Sequence, residues 1–144
     1  IGSKPGEINM VLPGRGTALM AAADNNCPGV ADALVKAGAD VNLGFPGMGT
    51  PLAIAADNHA TATAQILLKH GADANATTPG FDTPLIKAVR EGDMEIVKLL
   101  VSKGADVNLA SPIGKGTPLK NAERNYEDEI AAYLRSKGAV SASK

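Results

Sequence analysis

Apolar residues in this chain fall in short clusters rather than one long run, and their spacing is helical. The clearest cluster is Met94-Glu95-Ile96-Val97-Lys98-Leu99-Leu100-Val101. A shorter one just before it, Leu85-Ile86-Lys87-Ala88-Val89, suits a first helix of about two turns. Thr83-Pro84 opens that helix: Thr is a good N-cap, and Pro at the first position gives up only an N–H that has no helical partner. Glu91-Gly92 breaks the pattern between the two helices, because glycine tolerates a left-handed residue. Gly104 of Gly104-Ala105 gives the stop signal for the second helix. An extended Asp-Val-Asn segment and a turn then lead to the next threonine.

This unit recurs. Thr17-Ala18-Leu19, Thr50-Pro51-Leu52, Thr83-Pro84-Leu85 and Thr117-Pro118-Leu119 follow one another at steps of 33, 33 and 34 residues. Gly38-Ala39, Gly71-Ala72, Gly104-Ala105 and Gly138-Ala139 step by the same 33, 33 and 34. The breaks fall at Asn25-Asn26, Asn58-His59, Glu91-Gly92 and Asn125-Tyr126. Two independent markers with one period and one shared slip define four repeats, enough for a continuous stacked core. The predicted single domain divides into repeats at 16–48, 49–81, 82–115 and 116–140. Residues 1–15 form a partial repeat or hairpin cap, since Glu7-Ile8-Asn9 lines up with Asp40-Val41-Asn42, and residues 141–144 are expected to fray. Lys120, Glu123 and Arg135 stand where earlier repeats are apolar, as a terminal capping repeat requires.

The unit resembles the ankyrin repeat, in which Thr-Pro-Leu opens the first helix and Gly-Ala-Asp-Val-Asn leaves the second. Gly38-Ala39-Asp40-Val41-Asn42 and Gly104-Ala105-Asp106-Val107-Asn108 match that exit residue for residue, and the likeness covers roughly residues 6 to 140. It implies an all-α repeat solenoid: an L-shaped ankyrin stack of helix-turn-helix units with projecting β-hairpin fingers. It also implies protein recognition without catalysis. The His that usually follows Thr-Pro-Leu is replaced by Met20, Ala53, Ile86 and Lys120, so its bond to the Thr is expected to be missing. Asn42 and Asn108 resemble asparagines that are hydroxylated in animal ankyrin proteins; the plainer reading is that they bond the loop backbone.

Composition narrows the function classes. Apolar residues make up 44% and charged residues 20%, a globular balance. Two Phe, two Tyr and no Trp leave little for stacking single-stranded nucleic acid, and a net charge of −1 gives no footprint for DNA or an anionic membrane. The lone Cys27 excludes an intrachain disulfide framework and a cysteine zinc finger. No apolar run is long enough to span a bilayer.

Candidate chemistry is thin, and no catalytic, cofactor or metal site is predicted. His59 beside Asp57 could form an acid-base pair, or serve as a turn residue in place of glycine. His70 precedes Gly71 at a helix end, where it suits the dipole. Cys27-Pro28 opens a helix that could activate a thiol, yet no partner base lies at repeat spacing. Gly114-Lys115-Gly116-Thr117 lacks the upstream glycine of a phosphate loop, and Asn75-Ala76-Thr77 is a glycosylation sequon that matters only in a eukaryotic secretory pathway.

The surfaces that ankyrin proteins use are the hairpin tips and the concave floor. Here the tips carry Leu12, Arg15, Phe45, Met48, Phe81, Ile113 and Lys115, more apolar than is usual in that family. Two readings stay open: an anchor row for a partner, or side chains folded onto neighbouring fingers. The floor reads Asp24-Asn25, Asp57-Asn58, Arg90-Glu91 and Arg124-Asn125, acid in the first two repeats and base in the last two. The predicted partner-binding set is Leu12, Arg15, Phe45, Met48, Asp57, Asn58, Phe81, Arg90, Ile113, Lys115 and Arg124. The expected partner is another protein, with no nucleic acid, no membrane and a monomer when alone. Likeness to small exported bacterial ankyrin proteins suggests an inhibitor or self-protection (immunity) protein that blocks an enzyme. The start at Ile1 without Met fits either a cleaved signal peptide or a trimmed chain, which favours a periplasmic over a cytoplasmic location slightly. The alternative is a scaffold or host-directed effector fragment of a longer ankyrin protein.

Overall fold

Threonine's capping side chain and glycine's left-handed freedom divide the chain where the repeat markers stand. The computed structural model describes residues 8–140, and eight helices lie wholly within them. They are α1 (Ala18–Asp24), α2 (Pro28–Lys36), α3 (Pro51–Asp57), α4 (Thr61–Lys69), α5 (Pro84–Arg90), α6 (Met94–Ser102), α7 (Pro118–Arg124) and α8 (Asp128–Ser136). The expected start of the N-terminal cap and the tail at 141–144 fall outside the described residues.

Each odd-numbered helix opens on its threonine. The hydroxyls of Thr17, Thr50, Thr83 and Thr117 accept N–H bonds from Met20, Ala53, Ile86 and Lys120 at 3.0–3.2 Å. The cap therefore forms at the very positions where the family's His is absent. Between the helices of a pair, Asn26, His59, Gly92 and Tyr126 turn the chain with φ of 49°, 57°, 68° and 58°. Each even-numbered helix ends in a Schellman motif: Ala39, Ala72, Ala105 and Ala139 donate back to the carbonyls of Leu34, Leu67, Leu100 and Leu134 at 2.9–3.0 Å. The preceding glycines take the required positive φ, 92° to 106°.

Stacking builds the core. First helices pack on first helices (α1 on α3, α3 on α5, α5 on α7), and second helices pack likewise from α2 to α8. Leu19, Leu52, Leu85 and Leu119 are buried in one file, and Leu67, Leu100 and Leu134 in another. A polar ladder runs beside them. Asn9, Asn42 and Asn75 each accept, through Oδ1, the backbone N–H of the next repeat's Asp40, Asp73 or Asp106 at 2.7–2.8 Å. Asn108 accepts the N–H of Val140 at 3.0 Å. Each of these aspartates in turn caps the N–H of its own repeat's asparagine at 2.9 Å.

The fingers are tighter than full hairpins. The first two close by single antiparallel bridges, Leu12 with Gly16 and Phe45 with Gly49. In the fourth, Ser111 N–H donates to the Gly116 carbonyl at 2.8 Å. The third has no such bridge: Asp82 stands where the others carry the left-handed glycines 16, 49 and 116.

Candidate protein-binding surface

A repeat stack exposes one concave side, and a hollow lies there beneath the first three fingers, across the N-terminal partial repeat and the first two full repeats. It encloses about 460 Å³. Met20 and Ile54 form its apolar wall, Asp24, Asn25, Asp57 and Asn58 its polar floor, and Arg15, Met48 and Phe81 its finger side. Of the eleven residues singled out from the sequence, the fold thus brings five together: Arg15, Met48, Asp57, Asn58 and Phe81. Asn58 Nδ2 donates to Asp24 Oδ1 at 3.1 Å and to the Ile54 carbonyl at 2.8 Å, which ties the floor of the first repeat to the second.

The apolar finger residues divide into two groups. Phe45, Met48 and Phe81 are half-buried, with Phe45 and Met48 packed against the core. The Phe81 ring lies directly over Gly49, where even a Cβ would come within 2.5 Å of it. Met48 reaches back toward Gly16 of the first finger. Met48 and Phe81 thus each cover the exit glycine of the finger before theirs, while Phe45 packs on the core, and together they brace the finger row. Leu12 and Ile113, at opposite ends of that row, remain open at 49% and 39% exposure.

The floor charges are partly spent on one another. Lys87 Nζ lies 3.5 Å from Asp57 Oδ1 and 4.2 Å from the Phe81 ring centroid, joining floor to finger by an ion pair and a cation–π contact. Arg90 points its guanidinium to Asp82, 3.0 Å away, whose buried carboxylate also takes the Ser111 hydroxyl. Arg124 donates to the Lys115 carbonyl at 2.9 Å. Lys87, Asp82 and Ser111 were not singled out from the sequence, though a signal existed. Lys87 replaces the apolar Ile54 of the preceding repeat, and Asp82 replaces a glycine.

His70 caps the end of α4 as its position suggests. His59 does not pair with its sequence neighbour Asp57; its Nδ1 lies 3.0 Å from Asp93 Oδ2 and its Nε2 3.3 Å from Glu91 Oε1, both in the next repeat. Asp93 chiefly, then Glu91, raises the imidazole pKa above its usual value. His70 Nε2 lies 2.8 Å from Asp32 Oδ1 in the previous repeat. Hydrogen bonds from Lys36 and then His70 hold the Asp32 carboxyl down at about 2. The second repeat is therefore clasped to both neighbours through its two imidazoles.

A family model of ankyrin repeats, in three copies, matches residues 3–78 and again residues 52–143. The chain belongs to the ankyrin repeat family. No curated protein matches it. Ankyrin repeats are generally non-enzymatic, and they mark this chain as a module of protein–protein interaction. Among the described residues no group of three or more His, Cys, Asp or Glu is placed to hold a metal, and no helix is long and apolar enough to cross a membrane. Asn42 and Asn108 bond backbone groups of the ankyrin ladder, and so does the sequon's Asn75.

Proposed function

We propose that this ankyrin protein grips a folded protein partner in the hollow beneath its first three fingers, and that the partner is an enzyme whose cleft the fingers occlude. The hollow carries the reading: residues of three fingers and of the floor of two repeats converge on one concave space of about 460 Å³. Its mixture of Met and Phe walls with Asp and Asn floor groups suits a protruding loop better than a small apolar ligand. The fingers are braced before any partner arrives, which lowers the ordering cost of binding. The inhibitory role rests on shape: a row of stiff fingers ending in open apolar side chains can fill a cleft. Bacterial self-protection is the version of that role we favour.

Arg15 and Asp24 are both exposed at the hollow. Arg15→Glu with Asp24→Lys is expected to weaken the partner, captured from the source organism and identified by mass spectrometry, by about tenfold or more. Unchanged affinity in the folded double variant would reject the hollow as the binding site. If the partner is an enzyme, stoichiometric ankyrin protein should lower its turnover. Binding that leaves turnover intact would point to a scaffold instead.

A further inference from the structure

We infer that the fourth finger, together with the exposed side of α7, docks an acidic segment of the partner protein. The inference rests on the protein-binding reading above and adds where a second contact falls and which charge it takes.

The finger is unlike the others in length. The repeat slips from 33 to 34 residues between Gly104 and Thr117, because Gly38 to Thr50 and Gly71 to Thr83 each span 12 positions and this stretch spans 13. The extra residue widens the tip. Leu12 and Gly16, or Phe45 and Gly49, enclose three residues, whereas the bond from Ser111 to Gly116 encloses Pro112, Ile113, Gly114 and Lys115.

The widened finger is also held firmly. Asn121 Nδ2 and Arg124 Nη1 both donate to the Lys115 carbonyl, at 3.1 and 2.9 Å. Ser111 Oγ donates to buried Asp82 while it accepts the Ile113 N–H at 3.2 Å. A loop with the usual freedom of a surface turn would lose entropy on binding; this one has already lost it.

Its charge is uncompensated. Lys115, Lys120 and Arg124 are exposed, and none is within ion-pair distance of a carboxylate among the described residues. The acids that could answer them are engaged: Glu123 faces Arg135 at 2.6 Å and Asp82 faces Arg90 at 3.0 Å. Elsewhere on the floor Lys87 is answered by Asp57. The Arg124 bond to the Lys115 carbonyl and the packing of Lys120 over Gly116 gather all three cations at the finger, beside the open Ile113. The complement is a run of Asp or Glu with an apolar side chain among them. A nucleic acid fits less well, since the finger offers no aromatic ring to a base.

The test is a binding titration with a short labelled peptide of alternating glutamate and leucine. Wild-type protein should bind it, and binding should fade as salt rises from about 0.1 M to about 1 M, where the screening length falls from about 10 Å to about 3 Å. Lys115→Glu with Lys120→Glu alters two exposed side chains and leaves every finger hydrogen bond in place. It should bind at least about tenfold more weakly while melting like the wild type. Arg124→Lys, which keeps the charge, should retain most of the binding. Equal affinity in wild type and charge-reversed variant overturns the inference, and so does a wild-type protein that ignores the peptide. A single-stranded oligothymidylate that binds as tightly and loses the same factor shows a phosphate-reading surface and equally overturns it. None of these results touches the Arg15 and Asp24 test, so the hollow can stand while the finger fails.

Discussion

Tyr126 holds a left-handed conformation, φ 58°, with 87% of its surface in water. An L-residue with a large side chain costs about 1–2 kcal/mol there, and nothing around this ring offsets the cost. Tyr126→Gly is therefore expected to stabilise the fold by up to about 1 kcal/mol, after allowing for glycine's freedom in the unfolded chain. A lower melting temperature would refute this. His59 sits in the same conformation, yet here the side chain is used. Its pKa is raised in the folded protein, mainly by Asp93, so its contribution is full below the unfolded value of 6.5 and is lost as pH rises through the folded value. The melting-temperature gap between wild type and His59→Asn should accordingly narrow on going from pH 5.5 to about pH 8. A gap independent of pH would remove the clasp. The turn position of His59 was legible in the sequence, but its partners were not. Asp57 is two residues away along the chain, whereas stacking brings Asp93, 34 residues on, to 3.0 Å.

Helices and fingers were legible to different degrees, for a physical reason. Caps, left-handed turns and helix stops depend on residues a few positions apart, so Thr-Pro-Leu and Gly-Ala marked them directly. Finger contacts join successive fingers about 32 residues apart, and only the stacked structure shows that Phe81 lands on Gly49. Sequence reading left anchor and brace open for Phe45 and Phe81; their half-burial favours brace in the free protein. Phe45→Ala with Phe81→Ala should thus lower the melting temperature clearly, as loss of two partly buried rings removes packing worth on the order of a few kcal/mol. A variant that melts like wild type would return both rings to solvent. In α6, Leu100 has no exposure at all, and Leu100→Ala should cost about 2–5 kcal/mol with a helical circular-dichroism spectrum retained. A cost well under 1 kcal/mol would contradict the stacked core.

At the scale of the molecule, each repeat completes its neighbour, and stability is a sum over units and the seams between them. The order of repeats was therefore readable from periodicity, and the family from the likeness of Thr-Pro-Leu and Gly-Ala-Asp-Val-Asn to the ankyrin pattern. Where the protein spends its charges was not: Lys87 meets Asp57 only through the register between repeats, and Asp82 meets Ser111 only where two neighbouring fingers come together. The asparagine ladder has a mechanical meaning beyond its bonding. Because each rung crosses one seam and no rung crosses two, tension on the ends is carried through the seams in series, like the links of a chain. Under load the stack would part at its weakest link while the others hold. Each released repeat of about 33 residues would lengthen the chain by roughly 110 Å before the next gave way. The same bonds that set the register thus grade the response to load, and the seam between the second and third repeats, clasped by His59, should be among the last to part below pH 6.5.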